Sequence, residues 1–220
     1  MSSLAAIPLP LLITFAVKEE ARPLQRHLAD LPHIYTLITG MGRQNAERAT
    51  RHAIGRVQPR LLITAGFAGG LNPALPHGSL LFEADTAFPL TNRLLAGGVR
   101  LGRFHCTDRV AITASEKRML RKATGADALE MESGAIRALC HEHGIAAATV
   151  RVISDTADED LPLDFNTLVT PAGRPRPFPF ALALLRQPGK VAELIRFQKR
   201  IHDAAEQLAG ALMKCCRPED

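Results

Sequence analysis

The sequence predicts an α/β fold, a single domain built on a central, mostly parallel, twisted sheet flanked by helices. Two observations carry this reading. Short, nearly uncharged apolar runs recur along the chain, and helix-like stretches lie between several of them. Continuous apolar strands separated by helices belong to parallel sheets covered on both faces. A chain of 220 residues is also long enough to bury one substantial core.

The elements follow in order. The apolar start "LAAIPLPLLITFAV" has no basic leader, contains Pro8 and Pro10, and is shorter than the roughly 20 residues a membrane span needs. It reads as an arm entering a first strand at 11–17. Further strands are expected at 34–39, 60–65, 79–83, near 127–131 and at 145–154, with helices at 19–29, 43–56 and 132–143. "TPAGRPRPFPF" (170–180) reads as a Pro-rich loop rather than a domain linker, leading into a C-terminal helical extension of about 179–214. In its last helix Val191, Leu194, Ile195, Ile201, Leu208 and Leu212 share helical spacing, so a packed amphipathic helix is expected.

Composition narrows the function. Hydrophobic residues at 46% and charged residues at 22% are ordinary for a soluble protein. The net charge of +5 comes from scattered basic residues, and with no Trp and one Tyr the chain lacks the stacking side chains of a nucleic-acid binder. Cys106, Cys140, Cys215 and Cys216 show no disulfide framework, so a reducing cytoplasm is expected. Cys140 and His143 at helical spacing are too few for a metal site, and neither metal nor cofactor is expected.

In doubly covered sheets, ligands bind beyond the carboxyl ends of the strands. The residues there are Glu19 and Glu20, "GMGR" (40–43), "GFAGG" (66–70), Met131 and Glu132, and Ser154 and Asp155. Acids and glycines together suit cleavage of an N-ribosidic bond. Its transition state is oxocarbenium-like and its base leaves protonated, so one carboxyl can act as acid while another organises water. Asp155 fits the acid, Glu20 the base on water, and Glu132 an acceptor for the ribose hydroxyls. Each acid also has a local reading: Glu19 and Glu20 open a helix, Glu132 sits at a helix N-terminus, and Asp155 could cap the loop after its strand. Arg151, inside an apolar strand, is expected to pair with Glu130.

"ITAGFAGGLNPALPHGSLL", "ALEMESGAI" and "VRVISDTAD" resemble, in order, the signatures of the purine nucleoside phosphorylase and methylthioadenosine/S-adenosylhomocysteine nucleosidase superfamily. With "FAVKEEA" they cover most of residues 11–165. The resemblance implies Asp155 as proton donor to the base and Glu20 as activator of water. It implies Glu132 as ribose clamp with Met131 packed on the sugar, and Glu130, Ser154 and the backbone of Phe67, Ala68 and Gly69 around the pocket. It also implies a homo-oligomer. "EARPL", "TASEKRMLRKATGADALEMES" and the tail look most like the hopanoid-associated group, which implies an adenosylated hopane lipid as substrate and a use for the basic helix face at a membrane surface.

The chain departs from its relatives at Phe67, where the nucleosidases carry a small hydroxyl residue, and at Val110, where they carry a Phe that stacks on the base. Three functions stand at this point. The first is a nucleosidase using water, the second a phosphorylase using phosphate, and the third a non-catalytic nucleoside-binding protein. For phosphate, Gly42 and Arg43 offer an anion site, but the strand "LLITAG" places Thr64 and Ala65 where the phosphorylases carry an Arg.

Overall fold

The computed structural model describes residues 9–168, 189 and 191–217. Eight strands form one mixed sheet: β1 (Leu11–Phe15), β2 (Ile34–Ile38), β3 (Leu61–Gly70), β4 (Leu80–Ala84), β5 (Arg100–Leu101), β6 (Phe104–Cys106), β7 (Ala128–Glu130) and β8 (Ala146–Asp155). The order is β2-β1-β3-β8-β4-β5, with β7 bridging β3 to β6. Neighbours run parallel except β4 against β8 and β7 against β3. The expected single α/β domain is therefore observed.

The apolar runs are continuous because both faces of the sheet are covered. Leu11, Ile13 and Phe15 of β1, with Leu61 and Ile63 of β3, pack under α1 (Lys18–Gln25), α3 (Thr91–Ala96) and the last described helix, α7 (Val191–Cys216), which comes after the short α6 (Phe165–Leu168) in the chain. The intervening Leu12 and Leu62 face α2 (Arg43–Val57) and α5 (Ser133–Glu142) through Ala53, Ile54, Ile136 and Leu139. Alternate residues of one strand thus serve two cores.

Several expected boundaries change. β3 does not stop at residue 65 but runs through "GFAGG" to Gly70, because those residues continue to pair with β8 and then with β7. The stretch read as a loop is strand. The segment between β4 and β7 supplies α3, β5, β6 and α4 (Ala114–Thr124), none of which was expected as an element. Helix α4 begins at Thr113, whose side-chain oxygen accepts the Glu116 N–H at 3.2 Å. In α7, Leu194, Leu208 and Leu212 are buried, whereas Ile195 is exposed rather than packed. The Pro-rich segment and the first part of the expected C-terminal extension lie outside the described residues.

Candidate active site

The carboxyl ends of β1, β3 and β8 open onto one cavity with β7 and the segment around residue 110. Its enclosed volume is about 180 Å³. Glu20, Glu130, Met131, Glu132, Ser154 and Asp155 line it together with Phe67, Ala68, Gly69 and Val110. Residues far apart in sequence, each read as a site candidate, meet here.

Glu20 reaches the cavity because α1 starts directly after β1. Its Oε2 accepts the backbone N–H groups of Ala16 and Val17 at 2.9 and 3.1 Å, and its Oε1 accepts that of Phe67 at 2.8 Å. A side chain at residue 66 would collide with this carboxylate, since a Cβ built on Gly66 lies 2.6 Å from Glu20 Oε1. Glycine is required there by the close approach. Burial pushes the Glu20 carboxyl above its ordinary range, against the opposing pull of the Phe67 amide and the Arg151 charge. Glu19, by contrast, is exposed and lies outside the cavity.

Glu130 and Glu132 divide the labour at the start of α5. Glu130 Oε2 accepts the N–H groups of Glu132 and Ser133, its Oε1 accepts the Ser133 hydroxyl, and Arg151 Nη2 lies 2.7 Å from Oε2. The expected Arg151–Glu130 pair is present, with Arg151 2% exposed and Glu130 4%. Glu130 borders the cavity, and its carboxylate is engaged by the start of α5 and by Arg151.

Glu132 makes no cap of its own helix. It crosses to α2, where its Oε1 accepts the Gly42 N–H at 2.8 Å. Its carboxyl is pushed up to about 7, first by burial, then opposed by Arg151 and reinforced by the neighbouring Glu130 charge. This contact also corrects the anion-site expectation. The Gly42 amide already serves a carboxylate, and Arg43 is exposed and does not line the cavity.

Asp155 ends β8 beyond a register shift between Ala68 and Gly69 that sets it opposite Gly69. Ser154 Oγ donates to its Oδ1 at 2.7 Å, and Lys117 Nζ of α4 lies 2.5 Å from its Oδ2. The turn that follows is capped by Glu159, whose Oε2 accepts the Thr156 N–H at 3.0 Å, so loop capping does not occupy Asp155. Lys117 was not foreseen. It stands in a run of basic residues, "EKRMLRK", where nothing in one dimension separates a buried ammonium from solvated ones. Arg109, also unforeseen, is the one cationic side chain bordering the cavity among the described residues, and it is ion-paired with Glu116.

A sequence model of the phosphorylase superfamily matches residues 14–85 and 82–186. The chain belongs to that superfamily. It is an enzyme of this group. A 5'-methylthioadenosine/S-adenosylhomocysteine nucleosidase of Shewanella halifaxensis is 26% identical over 183 residues, covering 68% of this chain and 79% of the relative. Among solved structures, the nucleosidase of the same name from Campylobacter jejuni superposes with a TM-score of 0.69 at 19% identity, covering 94% of this chain and 98% of that one. The futalosine hydrolase of Helicobacter pylori does so with a TM-score of 0.70 at 16% identity, covering 96% and 98%. These superpositions establish a shared fold.

Proposed function

We propose that this enzyme hydrolyses the N-ribosidic bond of an adenine nucleoside or of a derivative substituted at the ribose 5′ carbon, releasing free base. The observation that carries the reading is the convergence of Glu20, Glu132 and Asp155 on one cavity, with none of the last two used to cap its own element. Three buried carboxylates at strand ends are costly to hold without a ligand that needs them. The nucleosidase relatives support the same reaction class.

In this reading each acid has a task. Asp155 protonates the base as the bond to C1′ lengthens. Glu132 accepts from the vicinal ribose hydroxyls, and Met131 beside it covers the sugar. Glu20, oriented by three backbone amides, takes a proton from the attacking water. The cavity walls Ala16, Val17, Met41, Phe67 and Leu129 are apolar, which suits a base and an apolar 5′ substituent. An adenosylated hopane lipid is the substrate of this type suggested by the tail and the "TASEKRML" stretch.

The test is direct. Adenosine, 5′-methylthioadenosine and an adenosylated hopanoid are incubated with the enzyme, and free adenine is followed. Release of adenine is expected, and binding without release would return the protein to a non-catalytic role.

A further inference from the structure

Helix α4 brings one side chain to the site that the three-acid reading leaves out. Lys117 is 1% exposed, and its ammonium has a partner for each of its three N–H groups. The carbonyl oxygens of Thr156 and Glu159 accept at 2.8 and 2.9 Å, and Asp155 Oδ2 lies at 2.5 Å. The start of α4 is itself pinned to the same turn, because the Ala114 N–H donates to Asp160 Oδ1 at 2.7 Å and the Leu161 N–H to the Ile112 carbonyl at 2.8 Å. With Ser154 on Oδ1 and Lys117 on Oδ2, both oxygens of Asp155 are fixed from the protein side.

An ion pair buried this completely is a poor way to gain stability, since desolvation of both charges offsets most of their attraction. It is a good way to place a proton. We propose that Lys117 is the positioning residue of the acid, orienting Asp155 and supplying, through it, the proton that the departing base takes up. This rests on Asp155 being the acid.

The step balances with one proton. The C1′–N bond breaks and its electron pair goes to the base. A base nitrogen takes a proton from Asp155 as the carboxylate takes one from Lys117 Nζ. The residues start as ammonium and carboxylate and end as amine and carboxylate, and the amine keeps two N–H donors for the Thr156 and Glu159 carbonyls. The attacking water gives its proton to Glu20, and exchange with solvent resets both groups.

The test compares two probes, 5′-methylthioadenosine and p-nitrophenyl riboside, whose nitrophenolate leaves without a proton. For Lys117→Gln, kcat on the nucleoside is expected to fall about a hundredfold or more at nearly unchanged KM, and kcat on the nitrophenyl riboside less than about tenfold. In Lys117→Ala, added methylammonium should restore part of the nucleoside rate. Lys117→Arg keeps charge and donors but cannot release a proton, so it should show the same substrate contrast, and it carries the comparison if the smaller variants do not fold. Asp155→Asn is measured alongside. A contrast in Asp155→Asn with equal losses, or none, in the Lys117 variants overturns Lys117 and leaves the acid standing. No contrast in Asp155→Asn overturns the acid, and this proposal with it.

Discussion

Glu130 Oε2 accepts the backbone N–H of Glu132 at 3.0 Å, so the first of these two carboxylates holds the second in place. Only one residue separates them, yet their electrostatics diverge. Burial alone would raise Glu130, but Arg151 and Ser133 bring its carboxyl below the ordinary range. Glu132 shares burial and a more distant Arg151, at 3.9 Å, and is pushed up to about 7. One carboxylate is held ionised against Arg151, and the other stands poised between its ionised and protonated forms near neutral pH.

The first prediction concerns that poise. Ribose hydroxyls donate to an ionised Glu132 better than to a protonated one. Nucleoside binding near neutral pH should therefore release a proton, and affinity should rise as pH climbs towards and through about 7, by up to about tenfold per unit below it. Calorimetry in buffers of different ionisation enthalpy measures the proton count. Glu132→Gln should abolish this pH dependence and weaken ribosides more than 2′-deoxy analogues; an unchanged pH dependence would remove Glu132 from the sugar. The folding contribution has the opposite trend. Glu132 holds its proton more tightly folded than unfolded, so its contribution is full below about 4.5 and is lost as pH rises through about 7.

Stability should separate the two glutamates. Glu130→Gln takes from the buried Arg151 guanidinium its closest counter-charge and leaves it the more distant Glu132 at 3.9 Å; removing one partner of such a buried pair typically costs about 3–5 kcal/mol. Glu132→Gln removes a carboxylate already disfavoured by burial and should change stability far less at pH 8. Denaturant melts of the two variants check this. Equal midpoints would mean that Arg151 does not depend on Glu130.

How much of this was legible depended on whether a residue's role is local or set by tertiary context. The covered sheet could be read because Leu11 to Phe15 and Leu61 to Ala65 form uninterrupted apolar runs that only a doubly buried strand needs. Glu20, Glu132 and Asp155 were visible because each follows a strand. What Glu130 does was less visible, since a cap and a ligand place acids at similar positions. The Gly42 amide looked available for an anion until the fold brought Glu132 across to it. Lys117 had no mark at all, because its burial is decided by the turn at 156–159, some forty residues later.

Gly66 provides a test of Glu20 that leaves the carboxylate chemically intact. A methyl group at residue 66 would sit 2.6 Å from Glu20 Oε1, against a carboxylate held by three backbone amides. The carboxylate must move and its alignment on water is lost. Gly66→Ala should therefore lower kcat about a hundredfold, as misplacement of about 1 Å can, with KM much less affected. A parent-like kcat in a folded Gly66→Ala protein would show that water activation does not depend on this placement.

The last prediction decides between water and phosphate. A phosphate co-substrate needs fixed cationic or amide donors beside the sugar. Thr64 and Ala65 are buried on β3 where an inward Arg would have to stand. The Gly42 N–H is committed to Glu132, Arg43 is exposed outside the cavity, and Arg109 at its border is paired with Glu116. Arg151 is a strong cation close behind the site, but it lies 2.7 Å from Glu130 and beneath Thr64, whose Oγ1 it reaches at 3.2 Å. Glu20 and Glu132, when ionised, repel a phosphate dianion at short range. Adenine release should therefore be independent of phosphate concentration, yield a free reducing sugar and be unaltered in Arg43→Ala. A sugar 1-phosphate product, formed at a rate that saturates in phosphate and collapses in Arg43→Ala, would replace hydrolysis with phosphorolysis. It would also require the cation to reach the cavity of another subunit, because in its own chain Arg43 lies outside it.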